Sequence, residues 1–328
     1  MKKILLFINI IIIFLFTIKT SFAENIKKTF RAEYIMGTVF EIEIYEKNDK
    51  LANEAISLAF NEIRKYDQIL SNYKENSEIN TVIKKAYNKP TKISNELYEV
   101  LKDSLYFSEL TKGKFDITIE PLIKLWGFKN KNFKKPSEKE IKKVLKQIGY
   151  KNIILDEENK TILLKKSNLS IDFGAIGKGF AIGKAVEILK AKGIKSAFIN
   201  SNSNQYYLGT PPDKDFWLVG IKDPKDESKI IKVLKVKDTA LSTSGNYENY
   251  FFDNGVRYSH ILDPDTGFPI KEKIASTIIC KDSSYADILS TAFLLVDNNI
   301  KKNIKKNVKI DYSIVISEKK NKLILDEE

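Results

Sequence analysis

The feature that most constrains the fold is a long run of strand-like segments between residues 196 and 282. Five helical patterns stand before and after this run, and strands and helices do not alternate regularly along the chain. Irregular mixing of this kind favours an α+β fold with a largely antiparallel sheet over a doubly wound parallel sheet. The strand-like segments are "SAFINSN", "DFWLVGIKDP", "IIKVLKVKDTALSTSG", "ENYFFDNGVRYSHILDP" and "IASTIICKD".

Apolar residues recur at helical spacing in five segments, and the third begins with Ser137 and Glu140 at the spacing of a capping box. Two further segments read as hairpins, "NIILDEENKTILLKK" and "VKIDYSIVISEKKNKLILDE". No internal repeat and no Pro/Gly/Ser-rich linker divides the chain, so we predict one domain, residues 24–328, with two lobes and helices packed on the sheet. The helical segments are "ANEAISLAFNEIRKYDQILS", "NELYEVLKDSLYFSELTKG", "SEKEIKKVLKQIG", "GKGFAIGKAVEILKAKG" and "SSYADILSTAFLLV".

Residues 1–23 have the pattern of a secretory signal peptide. Two lysines precede an apolar run over residues 4–18, and Ser21 and Ala23 are small residues at the positions before a cleavage site. The run is shorter than the roughly 20 apolar residues that a spanning helix needs. We therefore expect export, to the periplasm or to the surface of the inner membrane in a two-membrane cell.

The formal charge of +12 does not identify a partner, because acidic residues alternate with basic ones almost throughout. Export and the absence of a recognisable nucleic-acid-binding module argue against nucleic acid as a ligand. Cys280 is the only cysteine, which excludes an internal disulfide and a cysteine-based zinc site. It ends an apolar strand-like segment, so we expect a buried, unreactive thiol.

A glycine-rich stretch, "IDFGAIGKGFAIGKAVEIL", joins a strand end to a helix. Gly174, Gly177 and Gly179 allow close approach of a ligand, and a helix N-terminus favours anions, which together indicate a phosphate site. The spacing matches neither the dinucleotide fingerprint nor the P-loop. A turn that packs a helix on a sheet, with Lys178 in solvent, explains the glycines equally well.

Asp287 and Thr291 are four residues apart and so share one helix face. A carboxylate and a hydroxyl in this arrangement suit a hard cation such as Mg²⁺. Alternatively, Ser284 and Asp287 form a capping box, and Thr291 bonds a carbonyl one turn back. From these residues alone the capping interpretation is preferred.

Three other segments allow both a structural and a functional interpretation. In "SHILDPDTGFPI", turn formation accounts for Pro264 and Gly267 but leaves His260, the only histidine, unexplained. "KFDITIEPLIKLWGF" contains a strand-like run and Trp126, which forms either a slot for a planar ring or core packing. "ALSTSG" reads as a strand that ends in a Thr-Ser-Gly turn, which is either a phosphate site or a plain turn.

Taken together and in order, six segments resemble the ApbE family of FAD:protein FMN transferases. They extend from Met36 to Phe293 and read "MGTVFEIEI", "KFDITIEPLIKLWGF", "IDFGAIGKGFAIGKA", "ALSTSGNY", "SHILDPDTGFPI" and "ADILSTAF". The resemblance implies a Mg²⁺-dependent enzyme that moves FMN from FAD to a Ser or Thr hydroxyl of a target flavoprotein and releases AMP. The implied target is a subunit of an exported or membrane redox complex.

The resemblance also assigns residues. The metal ligands it implies are Asp287, Thr291 and the main-chain carbonyl of Ala175. The resemblance gives His260 a catalytic role as a base or as a partner of the phosphate. Alternatively, the carboxyl group that activates the target hydroxyl is that of Asp263 or Asp287. The flavin-contacting positions are Met36, Tyr73, Phe115, Asp116, Asp172, Lys178 and Ile261, with Trp126 packed nearby.

Two positions depart from the family pattern. The family has a Gly-Gly pair after the strand that matches "SAFIN", where this chain reads "SNSNQYYLG". Asparagine tolerates a left-handed backbone, so the turn itself is expected to persist. The family also commonly has Asp where Gly183 stands. Both departures keep two alternatives open: an FAD pyrophosphatase that uses water as acceptor, and an exported flavin-binding protein with little chemistry.

Overall fold

The computed structural model of the protein describes residues 26–319 and 322–328, so the predicted signal peptide lies outside the described residues. No helix in that part of the chain is long and apolar enough to cross a bilayer. The α-helices are α1 (Asp49–Leu70), α2 (Glu78–Ile83), α3 (Asn95–Leu110), α4 (Glu120–Leu125), α5 (Glu138–Leu145), α6 (Gly177–Ala191), α7 (Ser283–Leu295) and α8 (Asn298–Asn307).

Strands are numbered in the same chain order, and a 3₁₀ turn (Tyr150–Asn152) precedes the fourth of them. The strands are β1 (Lys27–Ile35), β2 (Thr38–Glu46), β3 (Thr91–Lys92), β4 (Ile153–Asp156), β5 (Thr161–Leu164), β6 (Ala197–Ser201), β7 (Asn204–Leu208), β8 (Trp217–Asp223), β9 (Asp226–Val236), β10 (Thr239–Gly245), β11 (Tyr250–Asp253), β12 (Val256–Ser259), β13 (Lys273–Cys280), β14 (Tyr312–Lys319) and β15 (Lys322–Glu327).

An eight-stranded sheet in the order β1-β2-β6-β7-β10-β13-β14-β15 forms the centre of the molecule. Every neighbouring pair in it is antiparallel. The predicted α+β class with a largely antiparallel sheet is therefore confirmed. Helices α1, α6 and α7 pack on this sheet, and α6 packs against both α1 and α7. Together they bury the largest apolar core, which includes Phe40, Phe60 and Phe293.

Strand β10 shows how the two faces of the sheet differ. Ser242 and Ser244 bond to residues of α7, whereas Leu241 packs with Val219 and Val236 of the β8–β9 hairpin. Successive side chains of a strand point to opposite faces, so the helices and the hairpin cover opposite sides of the sheet. This alternation places polar side chains of β10 against α7.

A second, smaller apolar core lies under the segment that contains α4 and α5. Leu122, Ile141 and Tyr258 are buried there around Trp126, whose indole N–H donates to the Gly267 carbonyl oxygen at 2.8 Å. The Trp126 and Tyr258 rings are 5.3 Å apart. Trp126 is thus a core residue, which agrees with the packing alternative and not with a slot for a ligand ring.

Helix and hairpin predictions are confirmed, including the reciprocal capping box of Ser137 and Glu140 at the start of α5. Two local predictions are wrong. Residues 114–119 form an irregular loop instead of a strand, and Thr243-Ser244-Gly245 lies within β10 instead of forming a turn. The short helices α2, α4 and α8 have no counterpart in the sequence-based prediction.

Candidate functional site

A cavity of about 200 Å³ opens where the two cores meet. Its walls come from loops 114–119 and 172–176, the first turn of α6, strand β10, the residues after β12 and one face of α7. Part of the wall is apolar and part is polar. The apolar residues are Phe115, Ile117, Ile119, Ile123, Ile261 and Leu262, and the polar ones include Lys178, Ser203, Thr243, Ser244, His260, Asp287 and Thr291.

Asp287 connects α7 to the start of α6. Its side chain is only 4% exposed, and one carboxylate oxygen accepts the Gly179 N–H at 2.9 Å. Burial raises the pKa of Asp287, while Lys178 and the hydrogen bonds from Gly179 and Asn204 oppose that rise. The carboxylate therefore satisfies a first-turn amide of a different helix, which leaves that helix end anchored across the cavity.

The predicted capping box at the start of α7 is wrong. Asp282 is the N-cap residue, and its carboxylate accepts from the N–H groups of Ser284 and Tyr285. Asp287 lies one turn deeper and is buried against α6. The capping alternative therefore does not explain why a carboxylate stands at this position.

Glycines of α6 allow a close crossing with α7. A Cβ on Gly179 would stand 2.2 Å from the main-chain oxygen of Ser283, and the Ser283 hydroxyl donates to the Gly179 carbonyl oxygen at 2.7 Å. A Cβ on Gly183 would approach the same hydroxyl to 2.9 Å. A Cβ at 179 would meet backbone, so Gly179 is needed for this packing of helix on helix, whereas a side chain at 183 would require only the Ser283 hydroxyl to move.

Lys178 is not on the outer surface of α6. It is half-buried, lines the cavity, and its ammonium donates to the Gly174 carbonyl oxygen at 3.2 Å. A lysine in the first turn adds a full positive charge to a helix end that already favours anions. The first turn of α6 therefore presents positive charge to the cavity.

Thr291 and Ala175 line the same cavity as Asp287. The Thr291 hydroxyl lies 3.0 Å from the Ser244 hydroxyl, so the expected bond to a carbonyl one turn back is not the one formed. Within residues 26–319 and 322–328 no cluster of three or more His, Cys, Asp or Glu is present. A carboxylate, a hydroxyl and a main-chain carbonyl are all oxygen donors, and such a set with a single buried negative charge fits Mg²⁺.

His260 projects from the segment after β12 into the cavity. Its Nδ1 atom is 3.1 Å from the Asn249 carbonyl oxygen. A carbonyl only accepts, so Nδ1 carries the proton and Nε2 holds a lone pair. Burial lowers the pKa of His260, Lys178 lowers it further, and the bond to Asn249 only partly opposes this. The imidazole is consequently neutral near pH 7.

Five of the seven positions predicted to contact flavin line the cavity: Phe115, Asp116, Asp172, Lys178 and Ile261. Both carboxylates among them are engaged by the protein. Asp116 accepts from the N–H groups of Thr118 and Tyr150, each at 2.8 Å. Asp172 accepts from the Gly174 N–H at 2.7 Å and from the Asn72 amide at 2.6 Å. These two carboxylates hold loops 114–119 and 172–176 in shape.

Three other predicted residues lie outside the cavity wall. Met36 has a left-handed backbone (φ 53°), and its side chain packs against Gly177. Tyr73 is 70% exposed, and the Lys129 ammonium lies 3.4 Å from the centre of its ring. The Asp263 carboxylate is held by Lys114 at 2.8 Å. Flavin contact by Met36 and Tyr73 stays a prediction, and Asp263 is poorly placed to act as a base.

The sequence-based prediction missed the polar residues behind Asp287. Asn202, with φ 59°, closes the tight turn between β6 and β7, as expected for asparagine at this position. The turn places Asn204 in the interior, where it bonds Asp287 and accepts from Ser242 at 2.7 Å. Alternation along β10 was the available signal for Ser242 and Ser244, because both point to the face that α7 covers.

A sequence model of the ApbE family matches residues 36–314. The FAD:protein FMN transferase of Treponema pallidum is 29% identical over 284 residues, which cover 82% of this chain and 78% of that protein. The FAD:protein FMN transferase of Klebsiella pneumoniae is 28% identical over 259 residues, which cover 78% of this chain and 79% of that protein.

Solved structures show the same fold. The crystal structure of the ApbE protein from Thermotoga maritima superposes with a TM-score of 0.81 at 30% identity and covers 89% of this chain and 94% of that chain. The apo form of the Pseudomonas stutzeri flavinyl transferase ApbE gives a TM-score of 0.78 at 25% identity and covers 92% of this chain and 95% of that chain. The family match spans well over half of the sequence, and the chain belongs to the ApbE family.

Proposed function

We propose that the protein is an FAD:protein FMN transferase that requires Mg²⁺ and attaches FMN to a Ser or Thr hydroxyl of a target flavoprotein. The observation that supports this proposal is that an apolar wall and a polar wall belong to the same cavity. The apolar residues suit an isoalloxazine ring. The polar residues include the cationic Lys178 and the oxygen donors Asp287 and Thr291, which suit a diphosphate and its metal ion.

Asp287, Thr291 and the carbonyl of Ala175 are the groups that would hold Mg²⁺. When bound, the ion would supply positive charge that offsets the negative charge of the diphosphate during transfer. Lys178 adds a second positive group from the first turn of α6. In the transfer, the acceptor hydroxyl oxygen forms a bond to the FMN phosphorus, and the bond from that phosphorus to the bridging oxygen breaks. The electron pair leaves with AMP.

We assign to His260 the role of taking the proton of the attacking hydroxyl, which its position on the cavity wall supports. Its Nδ1–H is held by the Asn249 carbonyl, so the lone pair of Nε2 is the basic site. Burial lowers the pKa of this imidazole, which keeps it unprotonated at neutral pH. A neutral imidazole on the wall of this cavity can act as a general base without prior deprotonation.

An assay of product and acceptor separates the activities. The protein is incubated with FAD and Mg²⁺, with and without a flavoprotein subunit that carries the acceptor hydroxyl. AMP release is followed by chromatography, and covalent flavin by in-gel fluorescence. We expect both signals, and EDTA should remove both. AMP without labelled subunit indicates pyrophosphatase activity, and bound FAD without AMP indicates a binding protein.

We also propose that the protein acts after export from the cytoplasm. Residues 1–23 have the features of a signal peptide, which supports export and a target in an exported or membrane redox complex, in the periplasm or at the inner membrane. Fractionation of cells that produce the full-length chain tests this, with N-terminal sequencing of the exported protein. A chain recovered in the cytoplasm with Met1 intact would contradict export.

A further inference from the structure

Buried hydroxyl groups lead from Thr291 away from the cavity. The Thr291 hydroxyl is 3.0 Å from the Ser244 hydroxyl, which is 2.8 Å from the Ser290 hydroxyl. Ser290 Oγ in turn lies 2.8 Å from the main-chain carbonyl oxygen of Asp287. Ser290 is fully buried and does not line the cavity. The series therefore connects one predicted metal ligand to the backbone of the other.

The direction of these bonds follows from counting hydrogens. Each hydroxyl has one hydrogen, and a carbonyl has none to donate. Ser290 gives its hydrogen either to the Asp287 carbonyl oxygen or to Ser242 Oγ, so Ser244 must donate to Ser290. Thr291 must then donate to Ser244. Both lone pairs of Thr291 Oγ1 are consequently free of this chain of bonds and available to the cavity.

A side branch does not change this direction. Ser242 Oγ lies 3.1 Å from Ser290 Oγ, but it donates to the side-chain oxygen of Asn204 at 2.7 Å. Asn204 bonds the Asp287 carboxylate. That carboxylate only accepts, so the Asn204 amide nitrogen faces it and the amide oxygen faces Ser242. Whether Ser290 donates to Ser242 or to the carbonyl, its hydrogen is used, and Ser244 remains the donor to Ser290.

We propose that Ser290 and Ser244 are positioning residues that orient the Thr291 hydroxyl so that it presents lone pairs, not its hydrogen, to the metal ion. The inference rests on the proposed function. Without the chain of bonds, the Thr291 hydrogen is free to rotate toward the cation, where it is repelled. Residues that orient metal ligands typically contribute about 10–100-fold to metal affinity.

Metal binding tests the proposal without measuring catalysis. The purified protein is titrated with Mn²⁺, with and without FMN, and free Mn²⁺ is followed by EPR. We expect Ser290→Ala to weaken binding about tenfold, although Ser290 is outside the cavity. Ser104→Ala is the matched control, because Ser104 is equally buried and its hydroxyl donates to the Val100 carbonyl oxygen of its own helix at 2.7 Å. This control should bind Mn²⁺ like the wild type.

A double-mutant cycle separates orientation from packing. In a Thr291→Val background there is no hydroxyl to orient, so Ser290→Ala should cause no further loss of Mn²⁺ affinity. An equal tenfold loss in both backgrounds would show that Ser290 acts by packing and would overturn the proposal. If Ser290→Ala does not fold, Ser244→Ala breaks the same series at the next bond and is used in the same cycle.

The cycle also distinguishes this inference from the proposed function. If Thr291→Val weakens Mn²⁺ binding and neither Ser290→Ala nor Ser244→Ala does, the orienting role is wrong and the metal site stands. If the wild type binds no Mn²⁺ in either condition, the metal-dependent part of the proposed function fails, and the orienting role fails with it.

Discussion

Replacing Asp287 with asparagine separates the charge of this side chain from its hydrogen bonds. Asparagine retains an oxygen for the Gly179 N–H, which Asp287 accepts at 2.9 Å. It loses the bond from Asn204 but also removes a buried negative charge whose burial raises the pKa of the carboxyl. A net hydrogen bond is worth about 1 kcal/mol, so we expect the unfolding free energy without metal to stay within about 1 kcal/mol of the wild type.

Asp287→Ala is the matched comparison. Alanine leaves the Gly179 N–H buried without its acceptor, and an unsatisfied buried donor costs about 1–3 kcal/mol. We therefore expect Asp287→Ala to be clearly less stable than Asp287→Asn in urea unfolding with EDTA present. Equal stability of the two variants would refute the role of this carboxylate in anchoring α6.

Activity should follow the charge and not the stability. Both variants lack the anionic oxygen, and loss of one preorganised electrostatic contact costs on the order of 10²–10³ in kcat. AMP release at saturating FAD and Mg²⁺ measures this loss. Mg²⁺ at 100 times its Kd should also add about 2.7 kcal/mol to wild-type stability and nothing to that of Asp287→Asn. A variant within threefold of wild-type kcat, or one still stabilised by Mg²⁺, would refute the metal-ligand assignment.

Three further predictions concern single residues. Activity that needs neutral His260 is lost when pH falls through its pKa, and burial lowers that pKa. The acid limb of kcat/KM should therefore lie below about pH 6.5 and be absent in a slower His260→Asn variant; a limb at higher pH would contradict the assignment. Burial raises the pKa of Cys280 to about 12, so iodoacetamide at pH 8 should label it only in urea, and rapid labelling of the folded protein would contradict this. Gly179→Ala should lower the unfolding free energy by about 1–3 kcal/mol, because the new Cβ would meet the Ser283 backbone. Gly183→Ala should lower it by less, because the Cβ at 183 would meet only the rotatable Ser283 hydroxyl. Equal losses in urea unfolding would contradict this difference.

Periodicity was sufficient to place parts of the fold and of the candidate site. The helical repeat put Asp287 and Thr291 on one face, and both line the cavity. The sheet class followed from the irregular order of strands and helices. The prediction of a strand at 114–119 was wrong because the apolar residues of this loop alternate like those of a strand. In the structure, the N–H groups of Thr118 and Tyr150 donate to the Asp116 carboxylate and not to a neighbouring strand.

Contacts between residues far apart in sequence could not be predicted from local sequence patterns. Asn204 reaches Asp287 because the register of β7 against β10 brings Asn204 opposite Ser242. The roles of Gly179 and Gly183 depend on how closely α6 crosses α7, which no local pattern specifies. The predicted N-cap of α7 was wrong because Ser284 and Asp287 happen to have capping-box spacing. The residue that caps the helix is Asp282, which precedes both and accepts from the first-turn amides.

The bond from Gly179 to Asp287 spans 108 residues of sequence. A fragment that stops before Ser283 would retain Lys178 and His260 but would leave the first turn of α6 unanchored and the oxygen donors of α7 missing. The cavity therefore gains the oxygen donors of α7 only when residues 283–328, about one seventh of the chain, are in place. A chain truncated before Ser283 would keep Lys178 and His260 but lack Asp287 and Thr291. Stabilisation by a ligand that needs all four groups should therefore report that α7 has been synthesised and has docked.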